Sequence, residues 1–283
     1  MYQADRPFVD LTSPQPAQRQ RVSARVAMTA VKIGGRTQAM RVAEAGSLRV
    51  RFPNVPGPAL EAVLLNTAGG IACGDAFGID VDVERGASVV LTTPAAERVY
   101  RSDGPTAEYA VQLWLHPEST TCWLPQETIL FDRARLRRRI EVDLSAQASL
   151  LVFEAIVFGR AARGESIHEG LFEDIWRIRR DGRLAYADTF RLTGDIAERL
   201  HRPVVAAGAR ALATCLYIAP DAEARLDEAR TLLQHCASDC AASAWNGLLS
   251  VRFLAGDVNT MRSDAISFLS GFRDEPMPRV WHS

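Results

Sequence analysis

The sequence contains a single lysine, Lys32, among 283 residues. A nucleotide-hydrolysing P-loop needs a lysine after its glycines to neutralise phosphate, then a hydroxyl to hold magnesium. Lys32 precedes Gly34 and Gly35, so that device is absent. An excess of either charge is also missing. With 33 basic and 34 acidic residues the net charge is −1, which excludes nucleic-acid or membrane-surface binding that rests on bulk electrostatics. No apolar run approaches the roughly 20 residues of a membrane span, and no charged-then-apolar leader opens the chain. A cytoplasmic location is expected. Cysteine is sparse and odd in number: Cys73, Cys122, Cys215, Cys236 and Cys240 are expected to be free thiols in a chain too large to need disulfide staples.

What is present is a strand pattern. Residues 1 to 20 carry Pro7, Pro14 and Pro16 without periodicity, and a flexible tail is expected there. From Ala24 to about Leu192, apolar and polar residues alternate in run after run, so the remainder, 21 to 283, is expected to be one mainly β domain. Asp181-Gly182 between two alternating runs signals a hairpin. Ala87-Ser88-Val89-Val90-Leu91 is echoed by Ala148-Ser149-Leu150-Leu151-Val152, which fits either two stacked coils or two ordinary apolar strands. Two amphipathic helices are expected near 221–237, after Pro220, and near 257–274, with Asp257 as N-cap and an end before Pro276.

The chain turns on LNTAGGIACGD, Leu65 to Asp75, where a strand runs into paired glycines and presents Asp75 on a tight turn. Gly69, Gly70 and Gly74 miss the dinucleotide-binding spacing, and a strand follows where that motif needs a helix. This stretch is joined by TTPAAERVYRS (Thr92 to Ser102), LPQETILFDRA (Leu124 to Ala134), GRAARGE (Gly159 to Glu165) and PRVW (Pro278 to Trp281). In that order, over roughly residues 25 to 281, the chain strongly resembles the UreD (UreH) family of urease accessory proteins. One departure stands out: Cys73 replaces the first glycine of the second pair in the family's GGxxGGD.

The resemblance implies a fold of stacked β-sheets of β-helix-like character with a small C-terminal pair of α-helices. It also implies a non-enzymatic scaffold for nickel incorporation into urease. The partners it implies are the urease apoprotein, UreF, the GTPase UreG and, indirectly, the nickel carrier UreE. The C-terminal helices and the Trp281 end are the faces expected to meet UreF. No tightly bound cofactor is implied, only transient nickel(II) in an internal passage lined by acids of these motifs. Asp75, Glu127, Asp132, Glu154 and Glu165 are the residues carried over as its lining. On the residues alone, Glu97 joins them as an acid at a motif turn, and any of the six also fits a solvated or salt-bridged role. Glu154 stands out inside the apolar run Leu150 to Phe158, where an unpaired charge is costly to bury. Carboxylates suit a conduit because they release Ni²⁺ more readily than imidazole or thiolate does.

Rival readings are a carboxylate-dependent metallohydrolase and a structural adaptor with no ion path. Ser166 in GESIH resembles a nucleophile elbow but lacks the closing glycine. His235, Cys236 and Cys240 fit either a soft metal site or a helix end whose buried face Cys236 continues. Arg135, Arg137 and Arg139 share one strand face, solvated or facing an acidic partner. Tyr100 and Trp281 fit packing or an interface.

Overall fold

Alternation along the strands builds two facing sheets. The computed structural model describes residues 21–160 and 163–282, so the tail expected over residues 1 to 20 lies outside the described residues. One sheet has seven strands. Its parallel centre is β1 (Ser23–Ile33), β5 (Ala76–Val83), β8 (Ala107–Leu115), β11 (Arg135–Leu144) and β13 (Leu171–Arg180). Antiparallel β2 (Arg36–Ala45) and β14 (Arg183–Thr193) flank it. The second sheet has ten strands. Its parallel centre is β4 (Leu60–Asn66), β6 (Ser88–Thr92), β9 (Thr120–Leu124) and β12 (Ser149–Phe158). Beside β4 runs antiparallel β3 (Leu48–Arg51), and beyond β12 run β15 (Ala211–Ile218), β17 (Leu248–Ala255) and β16 (Asp239–Trp245). Two short strands, β7 (Glu97–Val99) and β10 (Thr128–Leu130), continue the paths of β6 and β9 and pair beside the far half of β12.

The chain therefore winds in stacked coils, each crossing from one sheet to the other. The sequence echo is real and in register: Ser88 and Ser149 both align with Thr120, so the two similar segments sit on either side of β9. The coils also share a turn. The amides of Ala87, Ser119 and Ala148 donate to the carbonyls of Glu84, His116 and Ser145, three residues back in each case. The Asp181-Gly182 hairpin forms as expected, both residues at positive φ (48° and 74°) as a type I′ turn requires.

Two apolar cores result. The first fills the space between the sheets; Val26, Ile79, Leu113, Ile140 and Val152 are fully buried in it. The second lies on the outer face of the ten-stranded sheet, under α2 (Leu226–Leu233) and α3 (Val258–Arg273). Helix α3 starts on Asp257, whose carboxylate accepts from the amides of Asn259 and Thr260, and ends on Asp274 in the left-handed region. The helix expected near 221–237 is shorter. A 3₁₀ turn, Glu223–Arg225, leads into α2, and the chain leaves the helix because Asp264 holds Ser238 by its amide and hydroxyl at 2.7 and 2.6 Å. A further helix, α1 (Ile196–His201), was not expected; Asp195 caps it through the amide of Glu198. The indole of Trp281 packs into the second core, 2% exposed, and donates to Thr92 Oγ1 and the Leu124 carbonyl. Its tryptophan ring serves packing. No helix is long and apolar enough to cross a membrane among the described residues.

Candidate functional site

Strand parity places ionisable groups inside the sandwich. On β11 the inward positions are Leu136, Arg138 and Ile140, and on β13 they are Phe172, Asp174 and Trp176. Tyr109, Arg138 and Asp174 share one register across β8, β11 and β13, so one row of the seven-stranded sheet presents a phenol, a guanidinium and a carboxylate. Opposite them on β12, Glu154 points inward between Val152 and Ile156. Arg138 donates from Nη1 to Glu154 and, in a fork, from Nε and Nη2 to both oxygens of Asp174 at 2.9 and 2.7 Å. Trp123 Nε1 donates to the other Glu154 oxygen at 2.7 Å. The side chains of Arg138, Glu154 and Asp174 are only 3%, 3% and 8% exposed.

This triad carries one positive and two potential negative charges in a desolvated space. Burial opposes the Arg138 charge, but Asp174 and Glu154 more than offset it and hold the guanidinium protonated. Burial pushes the Glu154 carboxyl up, against the pull of Arg138, and neighbouring Asp174 adds to the rise. Tyr109 is held neutral by burial and by the fields of Glu97 and Glu154.

Two cavities of about 20 Å³ each flank the triad, and Glu154 lines both. Such a volume holds about one water where polar partners are present. One cavity runs past Tyr109 and Thr128 to Glu97 on β7. The other runs past Asp174 and Thr214 to the Asp188–Arg252 ion pair (2.8 Å), whose side chains are 35% and 52% exposed. Glu97, Glu154, Asp174 and Asp188 line these two separate cavities in turn, a corridor in which the Arg138 guanidinium sits between Glu154 and Asp174.

The glycine turn positions the Glu97 end. The Ile71 amide donates to the Arg98 carbonyl and the Tyr100 amide to that of Ile71, docking the turn on β7. Gly70 is required there: at φ +150°, an added Cβ would lie 2.4 Å from the Tyr100 ring and 2.8 Å from the Arg98 carbonyl oxygen. Tyr100 packs edge-on against Phe131 and donates to the Gly69 carbonyl, so it too serves packing. Asn66 reaches from the turn to Glu97 at 3.3 and 3.4 Å. Burial raises the Glu97 carboxyl to about 7, with Asn66 opposing the rise.

Of the five acids named from the motifs, Glu154 stands in this corridor and the other four are placed elsewhere. Asp75 accepts from the Val22 and Ala72 amides, both at 2.8 Å, and pins the glycine turn to the entry of β1. Glu127 accepts from Arg262 of α3 at 2.9 and 3.0 Å, locking that helix to the kink between β9 and β10. Asp132 accepts from the His168 and Glu169 amides. Glu165 pairs with Arg160 at 2.7 Å. Parity along β11 and β13 is the sequence signal that would have found Arg138 and Asp174. The same parity keeps Arg137 outside, paired with Glu108 and Glu173, with Arg139 beside Glu108.

Other groups are less suited to an ion path. Helix α2 stops before Cys236, whose thiol is pushed up to about 12 by burial and by Cys240 and Asp264, and His235 is exposed. Protonated thiols are poor metal ligands. Asp82, Glu84 and His116 place ligand atoms within 4.8 Å of one another at the coil turns, where His116 hydrogen-bonds Asp82 at 2.9 Å. They lie outside the residues lining the corridor.

Replacing Arg138 with Met should destabilise the fold by roughly 3–5 kcal/mol, because two carboxylates lose their buried cation. Adding Asp174→Asn and Glu154→Gln should recover most of that loss in denaturant unfolding; no recovery would contradict the triad. Glu97 should make stability depend on pH. Its raised pKa means that the folded chain binds the extra proton, so its contribution is full below the ordinary carboxylate range and is lost as pH rises through about 7. Glu97→Gln should therefore flatten the fall in stability between the two by up to about 3 kcal/mol.

Comparisons with known proteins show which family the chain belongs to. A profile described as UreD urease accessory protein matches residues 22–282. The urease accessory protein UreD of Azorhizobium caulinodans is 57% identical over 263 residues, covering 93% of this chain and 97% of that protein. That of Xanthobacter autotrophicus is 57% identical over 265 residues, covering 94% and 91%, and that of a Methylobacterium strain 52% over 279 residues, covering 96% and 98%. Matches that span both chains nearly end to end, together with the stacked-coil fold, show that the chain belongs to the UreD family of urease accessory proteins.

Proposed function

We propose that this chain is a non-enzymatic scaffold for assembling the nickel centre of urease, with nickel(II) as cargo passing through the inter-sheet corridor. It docks on apo-urease and recruits UreF and UreG, and UreE supplies the metal upstream. The GTP chemistry belongs to UreG, in keeping with the lack of a P-loop here. The observation that carries the reading is Glu154, an inward acid that lines both water-sized cavities and faces Asp174 across Arg138.

The chemistry of the corridor suits transit. Oxygen ligands and water bind nickel weakly enough to let it go, and among the described residues no thiol or imidazole lines either cavity. In the resting chain Arg138 occupies the carboxylates. Two carboxylates about 4 Å apart would repel by roughly 4 kcal/mol at an effective dielectric near 20, so a cation or a proton is favoured between such groups. A passing dication takes the place of the guanidinium, and Arg138 returns when it leaves. In this scheme Glu97, Glu154 and Asp174 are transient ligands. Asp75, Glu127, Asp132 and Glu165 act on the passage through the turns and kinks they hold.

Urease activation in a co-expressed system tests this reading. Glu154→Gln and Asp174→Asn should each lower urease activity roughly tenfold or more, the loss typical when a ligand's surroundings are altered at a metal site. Pull-down should recover the partner complex undiminished. Full activation by both variants would leave a scaffold with no ion path, and metal-dependent turnover by the chain alone would mark a hydrolase.

A further inference from the structure

Another buried acid, Glu61, lies on the outward face of the ten-stranded sheet, outside the residues that line the corridor. Glu61, Val90, Cys122, Leu151 and Tyr217 share one register across β4, β6, β9, β12 and β15. The end of α3 and the segment after it cross this row, and Arg273 pairs with Glu275 over it at 3.0 Å. On one side of that pair an open recess of about 330 Å³ remains. Pro56, Pro58, Met277 and Pro278 form its apolar walls, and Glu61 lies at its base.

Glu61 is only 9% exposed, yet its carboxylate makes no hydrogen bond or ion pair with any described residue. Desolvation raises its pKa, and the fields of Arg279 and Arg273 only partly oppose this. Arg273 is engaged by Glu275 and the Pro276 carbonyl, and Arg279 is exposed at the rim. A partly desolvated carboxylate without an ion-pair partner gains from an incoming cation.

We propose that this recess receives the side chain of an arginine or lysine from a partner protein, its aliphatic stem against the proline and methionine walls and its charged head on Glu61. The competing ligand classes fit less well. An apolar side chain would leave Glu61 buried and unpaired, and an acidic one would meet it with like charge. A bare divalent ion would find Glu61 and a Glu275 already paired with Arg273, two guanidinium groups beside them, and no use for the apolar walls. Long basic side chains carry both the stem and the head the recess asks for. This site is independent of the ion path and would stand if that reading failed.

The test uses the full chain with methyl-labelled methionine, followed by NMR through the Met277 methyl group in the wall. N-acetyl-arginine methylamide is the probe, and the norleucine and glutamate analogues are controls. The Met277 resonance should shift saturably with the arginine probe and not with either control. Glu61→Gln should weaken that binding by at least about tenfold while leaving the other methionine signals in place, as loss of a buried charge partner does. Arg279→Gln should tighten it by removing a competing cation. An equal response to norleucine, unchanged binding in Glu61→Gln, or no saturable shift with the arginine probe would overturn the proposal. Weaker binding in Arg279→Gln would do so as well.

Discussion

The Arg138 guanidinium, shared between Asp174 in its own sheet and Glu154 in the facing one, is the interaction on which the interior depends. Buried acids at two facing positions would otherwise repel each other or take up protons, and the sandwich would have to admit water or come apart there. With Arg138 in place the sheets close over a polar centre, leaving room for little more than one water on either side. Such a centre is a poor way to gain stability compared with apolar side chains of the same volume.

Stacked coils explain how that centre is assembled from distant residues. Parallel pairing fixes equal register in successive coils, so Tyr109, Arg138 and Asp174 form one row although a coil's length separates each from the next. The ten-stranded sheet contributes its part by splitting. β6 and β9 break off and resume as β7 and β10, whereas β12 runs through without interruption, and the opening beside β12 is where Glu154 meets Trp123 and the Glu97 cavity. Helix α3 secures the split: Arg262 spans Glu127, Gln126 and the Trp281 carbonyl, so the C-terminal segment is tied to the same kink. Acids at the kinks and turns thus hold the backbone around the corridor.

Much of this was legible in the sequence, and where it was not, the reason is physical. Alternation identified the strands, the Asp181-Gly182 turn and the capped helix after Asp257, because each is a local preference that the fold respects. Helix α1 has six residues, too few for a periodicity to show, and α2 ends early because Asp264 captures Ser238 from a distant part of the chain. Among the motif acids, membership of a motif could not separate an inward acid from a turn acid. Asp75 and Asp132 spend their carboxylates on backbone amides, a role that belongs to a turn, while Glu154 sits in an apolar run at an inward position. The same criterion applied to Leu136-Arg137-Arg138-Arg139-Ile140 and to Phe172-Glu173-Asp174-Ile175-Trp176 finds both partners. Glu97, on a three-residue strand after a proline, has no such signature, and its place became visible only once the glycine turn was seen to dock beside it.

Passage of nickel as proposed requires that a divalent cation take the place of the Arg138 guanidinium between Glu154 and Asp174. The most direct measurement is a crystal structure of the chain loaded with nickel(II), with anomalous scattering recorded at the nickel absorption edge. The account predicts a peak between the two carboxylates, oxygen ligands around it and the Arg138 side chain withdrawn. Nickel found only at surface groups such as Asp82 and His116, with the Arg138 pairs intact, would contradict it.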